Sequence, residues 1–272
     1  MILGGPFPPL ITGITIIKNV KLEEETAMEE EKRLLLLQVT DSVFPIGAYS
    51  HSFGLETYIQ KGRIRNREGA WKFIRQTIRY PLTFTELLGM RLAWEAGKEG
   101  NYQRIEALEE RLAAFKVPEE TRTASEKLAS RFIKTAGLML KTLEEEKGDG
   151  QEEKEDSSAK PSLRFARYGE RPNPHQVNAA YGVFAAVTGI ELEELLTFYL
   201  YSQVSAMVVN CVKTIPLSQS DGQALLTKSI KLQQEAVKKV LAGKEEYLGL
   251  SMPGFDLACM EHEALYSRLY MS

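Results

Sequence analysis

Apolar residues recur every three or four positions along most of the chain, which is the spacing that places them on one face of an α-helix. The clearest case is the segment 102–115, whose apolar positions are Ile105, Leu108, Leu112 and Phe115. No stretch combines the alternation of a half-buried strand with flanking turn signals. The pattern therefore predicts an all-α fold, a single helical-bundle domain of roughly eight to ten helices.

Capping and breaking residues divide the N-terminal half into separate helices. Asn66 is placed to cap a helix, and Pro81 either breaks that helix or kinks it before the pattern continues to residue 96. Pro118 stands where helices favour proline, at the start of another long pattern.

The C-terminal half is helical again. His175 opens a helix of small residues, which let a neighbouring helix approach closely and therefore favour a central position. Residues 191–212 are apolar on most faces and predict a buried helix. Two more helices follow: one over residues 222–241, capped by Ser220 or Asp221, and a short one over residues 256–268 after a Pro253-Gly254 turn.

Two segments depart from this pattern. Residues 1–33 end in a charged run, which predicts a disordered or weakly ordered leader. The predicted domain then covers residues 34–272. Residues 144–160 predict a flexible acidic insertion, because residues 144–156 hold eight acids, two bases and no apolar side chain. The apolar run at residues 10–17 is far shorter than the ~20 residues that span a bilayer, so we expect no membrane partner.

Composition narrows the class of protein. The net charge of −3 argues against a basic nucleic-acid binder. Two cysteines are too few for a disulfide scaffold or, alone, for a structural zinc site, which favours the reducing cytoplasm.

Catalytic chemistry is sparse. The chain has no zinc-protease, paired-cysteine, phosphate-loop or serine-nucleophile motif, which predicts a protein without enzymatic activity, cofactor or metal site of its own. His51 lies near Glu56, an arrangement that suits either proton transfer or helix capping. Cys259 and His262 share a helix face, either as a packed pair or as two ligands of a metal held at an interface.

Three polar blocks stand out from the helical background. They are LLLLQVTDSVFPIGAYSHSFGLETYI at residues 34–59, PLSQSDGQALL at residues 216–226 and FDLACMEHEALYSRLYMS at residues 255–272. Together they resemble the urease accessory protein UreF family, whose pattern combines a DS-x-x-P-x-G…HS-x-GLE block, a PL-x-Q-x-DGQ turn and a D-x-A-x-x-x-H-x-x-LY-x-RL tail. The resemblance runs from about residue 34 to residue 272 and leaves out the leader and the insertion.

The resemblance implies a function that the residues alone do not. Proteins of this family are all-α homodimers that act as chaperones of metallocentre assembly. They bind the accessory protein UreD (also called UreH) and recruit the UreG GTPase, and the complex docks on apo-urease and inserts nickel. A role in GTPase regulation is also part of this expectation. The alternative is a helical metallochaperone that binds nickel itself.

The three blocks supply the candidate partner-binding residues. The first block either contacts a partner or seals one end of the bundle, and the second forms either a partner contact or a plain helix cap. Tyrosine and arginine in the third block are types that anchor interfaces, so we expect the tail to order on binding, unless it packs as a final core helix. The candidates are Asp41, Ser42, Pro45, His51, Glu56, Gln219, Asp221, Gln223, His262, Tyr266, Arg268 and Tyr270.

Overall fold

The structure, a computed structural model, describes residues 13–47, 52, 54–148, 160–266, 268 and 269. It confirms the all-α fold: the described residues form helices joined by turns and contain no strand. The α-helices are α1 (Gly13–Thr40), α2 (Leu55–Gln60), α3 (Arg67–Thr77), α4 (Leu88–Lys98), α5 (Tyr102–Phe115), α6 (Glu119–Gly148), α7 (Pro161–Gly169), α8 (Val177–Thr188), α9 (Leu192–Thr214), α10 (Gln219–Ala242) and α11 (Pro253–His262).

The centre of the bundle is α8, as its small residues predict. Every residue from Val177 to Val187 is buried, and α8 packs most closely on α4. A Cβ on Gly182 would collide with the backbone carbonyl of Met90, so glycine is what lets the two helices touch. Trp94 closes the pair by donating its indole N–H to the carbonyl of Ile190 at 3.0 Å.

A continuous rod runs through α3, a π-helical segment (Ile78–Leu87) and α4, which makes ten helices in the described part of the chain if the rod counts once. Asn66 caps the rod as predicted, accepting a hydrogen bond from the amide of Gly69 at 3.0 Å. Pro81 lies inside the π-helical segment, where a widened turn accommodates the missing N–H without breaking the helix.

Helices α9 and α10 form an antiparallel hairpin, and α10 also lies along the rod. Arg91 of the rod donates to the carbonyls of Val240 at 2.7 Å and Gly243 at 2.8 Å, which satisfies groups that the end of α10 leaves open. Helix α9 is long and apolar enough to cross a membrane by length and composition. That is weak evidence for a membrane, because it packs on α10 and α1 as a core helix does.

The ends of the predicted segments differ in detail. Helix α1 already begins at Gly13, since residues 14–44 contain no proline or glycine, and Arg33 reaches Glu194 at 3.1 Å. A weakly ordered leader over residues 1–33 stays a prediction. Helix α6 continues to Gly148, inside the range expected for the acidic insertion, and residues 149–159 lie outside the described part.

Candidate functional site

The first and third blocks meet at a group of ionisable side chains, here called the tail cluster: Glu56, Glu120, His262 and Arg268. The side chain of His262 is completely buried, with Nε2 3.2 Å from Glu56 Oε2 and Nδ1 3.3 Å from Glu120 Oε2. Arg268 pairs with Glu120 at 2.6 Å. The other oxygen of Glu56 accepts from the amide of Leu269 at 2.8 Å. The cluster therefore ties the tail to α2 and to the first turn of α6.

The side chains of the tail cluster are suited to holding the tail in place. A carboxylate only accepts hydrogen bonds, so both contacts of His262 are hydrogen bonds together only when the ring or one carboxyl carries the extra proton. Burial raises the pKa of the neighbouring Cys259 thiol to about 12, which keeps it protonated. Within the described residues, no group of three or more His, Cys, Asp and Glu side chains is arranged to hold a metal ion.

Helix α11 packs on α2 through two side-chain hydrogen bonds to its backbone and through a close approach at Gly54. Thr57 donates to the carbonyl of Ala258 at 2.8 Å and Tyr58 donates to that of Gly254 at 2.7 Å. Gly54 has φ +74, and a Cβ there would lie only 3.1 Å from Ala258, so the glycine permits both the turn and the approach. Residues 54–58 of the first block thus form the surface on which the third block packs.

The final helix differs from its prediction. It spans Pro253–His262 instead of residues 256–268, because Pro253 occupies the first turn and the chain leaves the helix at the tail cluster. The tail before residue 263 is a packed helix, whose inner face is Phe255, Ala258, Cys259 and His262.

The outer side of this region exposes apolar and aromatic groups. Leu257 is 57% exposed and Met260 38%, and both lie on the outer face of α11. Tyr266 is fully exposed. Tyr270 and His51, two further candidates, lie outside the described residues.

The rest of the first block forms a tight exposed turn after α1. Asp41 accepts from the amide of Val43 at 2.8 Å and from the hydroxyl of Ser42 at 3.2 Å. Asp41, Ser42 and Pro45 are exposed, while Phe44 and Ile46 enter the core. This turn therefore places Phe44 and Ile46 in the core and leaves Asp41 and Ser42 exposed.

The second block is the first turn of α10. The cap is Ser218, not Ser220 or Asp221: its hydroxyl accepts from the amide of Asp221 at 3.1 Å, and the Asp221 carboxylate accepts from the Ser218 amide at 3.1 Å. The Ser218 hydroxyl, which donates to the Asp221 carboxylate at 2.7 Å, and the Ser218 amide together hold the pKa of Asp221 below its ordinary value. Gln219 and Gln223 are exposed beside this capping box and are free to reach a partner.

A largely apolar cavity of about 120 Å³ lies beside the first block. Its polar lining includes Asp41, Ser52, Lys116 and Asp256. Burial raises the pKa of Asp256. No histidine or cysteine of the described residues lines this cavity.

Glu109, a second buried ionisable residue, was not predicted from the sequence. Glu109 is almost completely buried and accepts hydrogen bonds from Tyr168 at 2.6 Å and from the amide of Gln176 at 3.0 Å, while it pairs with Arg171 and lies 3.3 Å from His175. Burial acts to raise its pKa, but the hydrogen bonds of His175 and Tyr168 and the nearby positive charges outweigh it and hold the pKa below the ordinary value. Glu109 fixes the loop that leads into α8. It falls on the apolar stripe of α5, which is the signal that could have revealed it.

The sequence profile of the UreF family matches residues 64–230, which is more than half of the chain. The chain belongs to the UreF family. The match contains the second block, and the first and third blocks lie outside it. UreF is a urease accessory family, so the chain has a urease accessory role. The all-α bundle agrees with that assignment.

Proposed function

We propose that this UreF-family chain is a non-catalytic scaffold of urease maturation, a homodimer of the cytoplasm. It bridges a UreD/UreH-like accessory protein and a UreG-like GTPase in the complex that delivers nickel to apo-urease. The observation that carries this proposal is the tail: the tail cluster anchors it to α2 and α6, while Tyr266 and the outer face of α11 stay exposed.

An anchored helix with exposed apolar groups is suited to binding a protein. The anchor reduces the ordering entropy that a free tail would lose on association. Tyrosine is among the residue types that contribute most to interfaces, and Leu257 and Met260 add apolar area beside it. We assign this surface to the UreD/UreH-like partner.

The start of α10 supports a second contact. Gln219 and Gln223 are exposed on a turn that the Ser218–Asp221 capping box holds in place. Since this turn belongs to a different helix from the tail, it leaves the α11 surface available to another protein. We assign it to the UreG-like GTPase, whose regulation would then pass through α10.

A binding experiment tests the tail assignment. Leu257→Ala with Tyr266→Ala alters only exposed side chains and should weaken binding of the UreD/UreH-like protein ~30-fold or more, about 2 kcal/mol, in a titration by calorimetry. The matched control, Leu138→Ala with Tyr247→Ala, removes exposed apolar groups elsewhere and should change the affinity less than about threefold.

The outcomes separate the proposal from its rival. Unchanged affinity of the tail variant would contradict the assigned surface. A nickel-binding metallochaperone instead predicts stoichiometric nickel retention by the purified chain in equilibrium dialysis, whereas the scaffold predicts none at comparable concentrations.

A further inference from the structure

A positively charged seam runs where α10 lies along the rod of α3, the π segment and α4. Three contacts set its register: Arg67 pairs with Asp221 at 3.3 Å, Lys228 lies 4.5 Å from the Trp71 ring centre, and Arg91 reaches the carbonyl of Val240 at 2.7 Å. Residue numbers rise together on both helices, so the rod and α10 are parallel neighbours over their length.

The basic residues of the seam recur at helical spacing on both the rod and α10. On the rod, Arg67, Trp71, Arg75 and Arg79 follow one another at intervals of four. On α10, exposed Lys228, Lys231 and Lys238 fall three and seven residues apart. The basic seam is defined here as Arg67, Arg75, Arg79, Lys228, Lys231 and Lys238 around Trp71.

Most of this charge has no ion-pair partner among the described residues, although Lys228 also contacts the Trp71 ring. Only Arg67 of the seam forms an ion pair within the described residues, and the nearby Lys72–Glu68 pair is closed on itself. The Nε of Arg75 is buried and has no hydrogen-bond acceptor among the described atoms. Like charges at helical spacing repel one another, by a few tenths of a kcal/mol per pair. On α10, Glu235 lies four residues after Lys231 and three before Lys238 and offsets part of this repulsion. The unfavourable interaction that an anionic group would relieve is therefore concentrated at Arg75 and Arg79 of the rod.

The surrounding protein is acidic. Residues 61–80 and 219–244 together hold twelve Lys and Arg against three Asp and Glu, in a chain whose net charge is −3. The remaining residues are therefore strongly negative in sum. These two segments therefore concentrate positive charge in a chain that is negative overall, and a local concentration of charge steers oppositely charged partners.

We propose that the basic seam is a docking face for an acidic surface of a partner protein, with Trp71 covered near the N-terminal end of the seam. Arginine and lysine side chains on two parallel helices match carboxylates on a compact surface, and a half-buried tryptophan is a typical interface anchor. A nucleic acid would extend beyond the seam into the negative remainder of the chain. A second copy meeting the same face would oppose like charges. The inference goes beyond the proposed scaffold role and does not depend on it.

The test uses a fluorescein-labelled poly-glutamate peptide of about twelve residues as the acidic probe, titrated against the full chain by fluorescence anisotropy in ~50 mM salt. The seam variant is Arg79→Gln, Lys228→Gln and Lys231→Gln, all exposed positions. It should bind the peptide about tenfold more weakly, because three charge contacts of a few tenths to one kcal/mol are lost. Circular dichroism checks that each variant is folded.

Two controls isolate the seam. Lys127→Gln, Lys134→Gln and Lys141→Gln remove the same charge from exposed positions of α6 and should change the affinity less than about twofold. Arg79→Lys, Lys228→Arg and Lys231→Arg keep the charge and should retain binding. The proposal is overturned if the seam variant binds like the native chain, if the charge-preserving variant loses binding equally, or if duplex DNA or phosphatidylserine vesicles bind through the seam more tightly than the peptide.

Discussion

Replacing Glu56 with alanine tests whether the tail cluster holds α11 on the bundle. The carboxylate is buried, faces Nε2 of His262 at 3.2 Å and accepts from the amide of Leu269 at 2.8 Å. Its removal leaves the buried imidazole with one carboxylate and the Leu269 amide without its acceptor.

The expected loss of stability follows from these two contacts. A hydrogen bond to a charged group contributes about 1.5–3 kcal/mol when buried, whereas the amide of exposed Leu269 regains water and loses about 1 kcal/mol. Together they predict that Glu56→Ala lowers the free energy of unfolding by about 3 kcal/mol. At ~2–4 °C per kcal/mol in a chain of this size, Tm falls by ~6–12 °C.

Calorimetric and near-ultraviolet circular-dichroism melts at neutral pH measure this change. Glu56→Gln should lose roughly half as much, since its amide oxygen still accepts from Leu269. The control is Glu110→Ala, an exposed acid that forms no ion pair within the described part of the chain, which should shift Tm by less than ~2 °C. If Glu56→Ala melts within ~2 °C of the native chain, the cluster does not hold the tail and the reasoning fails.

Three further predictions concern other parts of the bundle. The folded pKa of Glu109 is depressed, so its stabilisation is present above the unfolded pKa of about 4.3 and is lost as pH falls from there toward the folded pKa. Glu109→Gln should therefore melt lower at pH ~7 and show a smaller drop in Tm between pH ~5 and ~3 than the native chain. Ser218→Ala removes the cap of α10 and should lower the free energy of unfolding by about 1 kcal/mol in urea titrations, while Ser220→Ala, which is not the cap, should leave it nearly unchanged. Replacing residues 149–159 with a Gly/Ser linker should shift Tm by less than ~4 °C, and a larger fall would mean that this segment packs on the bundle.

Local signals in the sequence account for most of the helices. The bounds of α5 and the Asn66 cap agree with prediction, since both rest on nearby residues. The predicted caps of α10, Ser220 and Asp221, were wrong because several polar residues lie within one turn. Only the Ser-x-x-Asp spacing, which gives a capping box, distinguishes Ser218 from the others.

Long-range pairings were beyond sequence reasoning. Glu56 and His262 are 206 residues apart, and no periodicity links them. Among the described residues, the imidazole that Glu56 contacts is that of His262 in α11. Arg268, a candidate partner-binding residue, pairs with Glu120, which no sequence pattern singled out. The site thus depends on how α2, α6 and α11 converge, which only the packed structure specifies.

This packing also changes how the tail is best tested. Truncation after Gly254 would remove the buried side chains of Phe255, Cys259 and His262. The truncated chain would lose core as well as recognition, so its failure to bind would not separate the two. Exposed substitutions at Leu257 and Tyr266 avoid that ambiguity.

The central claim is that this chain assists urease maturation without catalysing a reaction itself. The most direct measurement is the urease activity formed when apo-urease is incubated with nickel, bicarbonate, GTP, and the UreD/UreH-like and UreG-like proteins, with and without the chain. The account predicts that activation falls to the background level when the chain is omitted and is restored by the native chain but poorly by Leu257→Ala with Tyr266→Ala. Equal activation in the absence of the chain would contradict it.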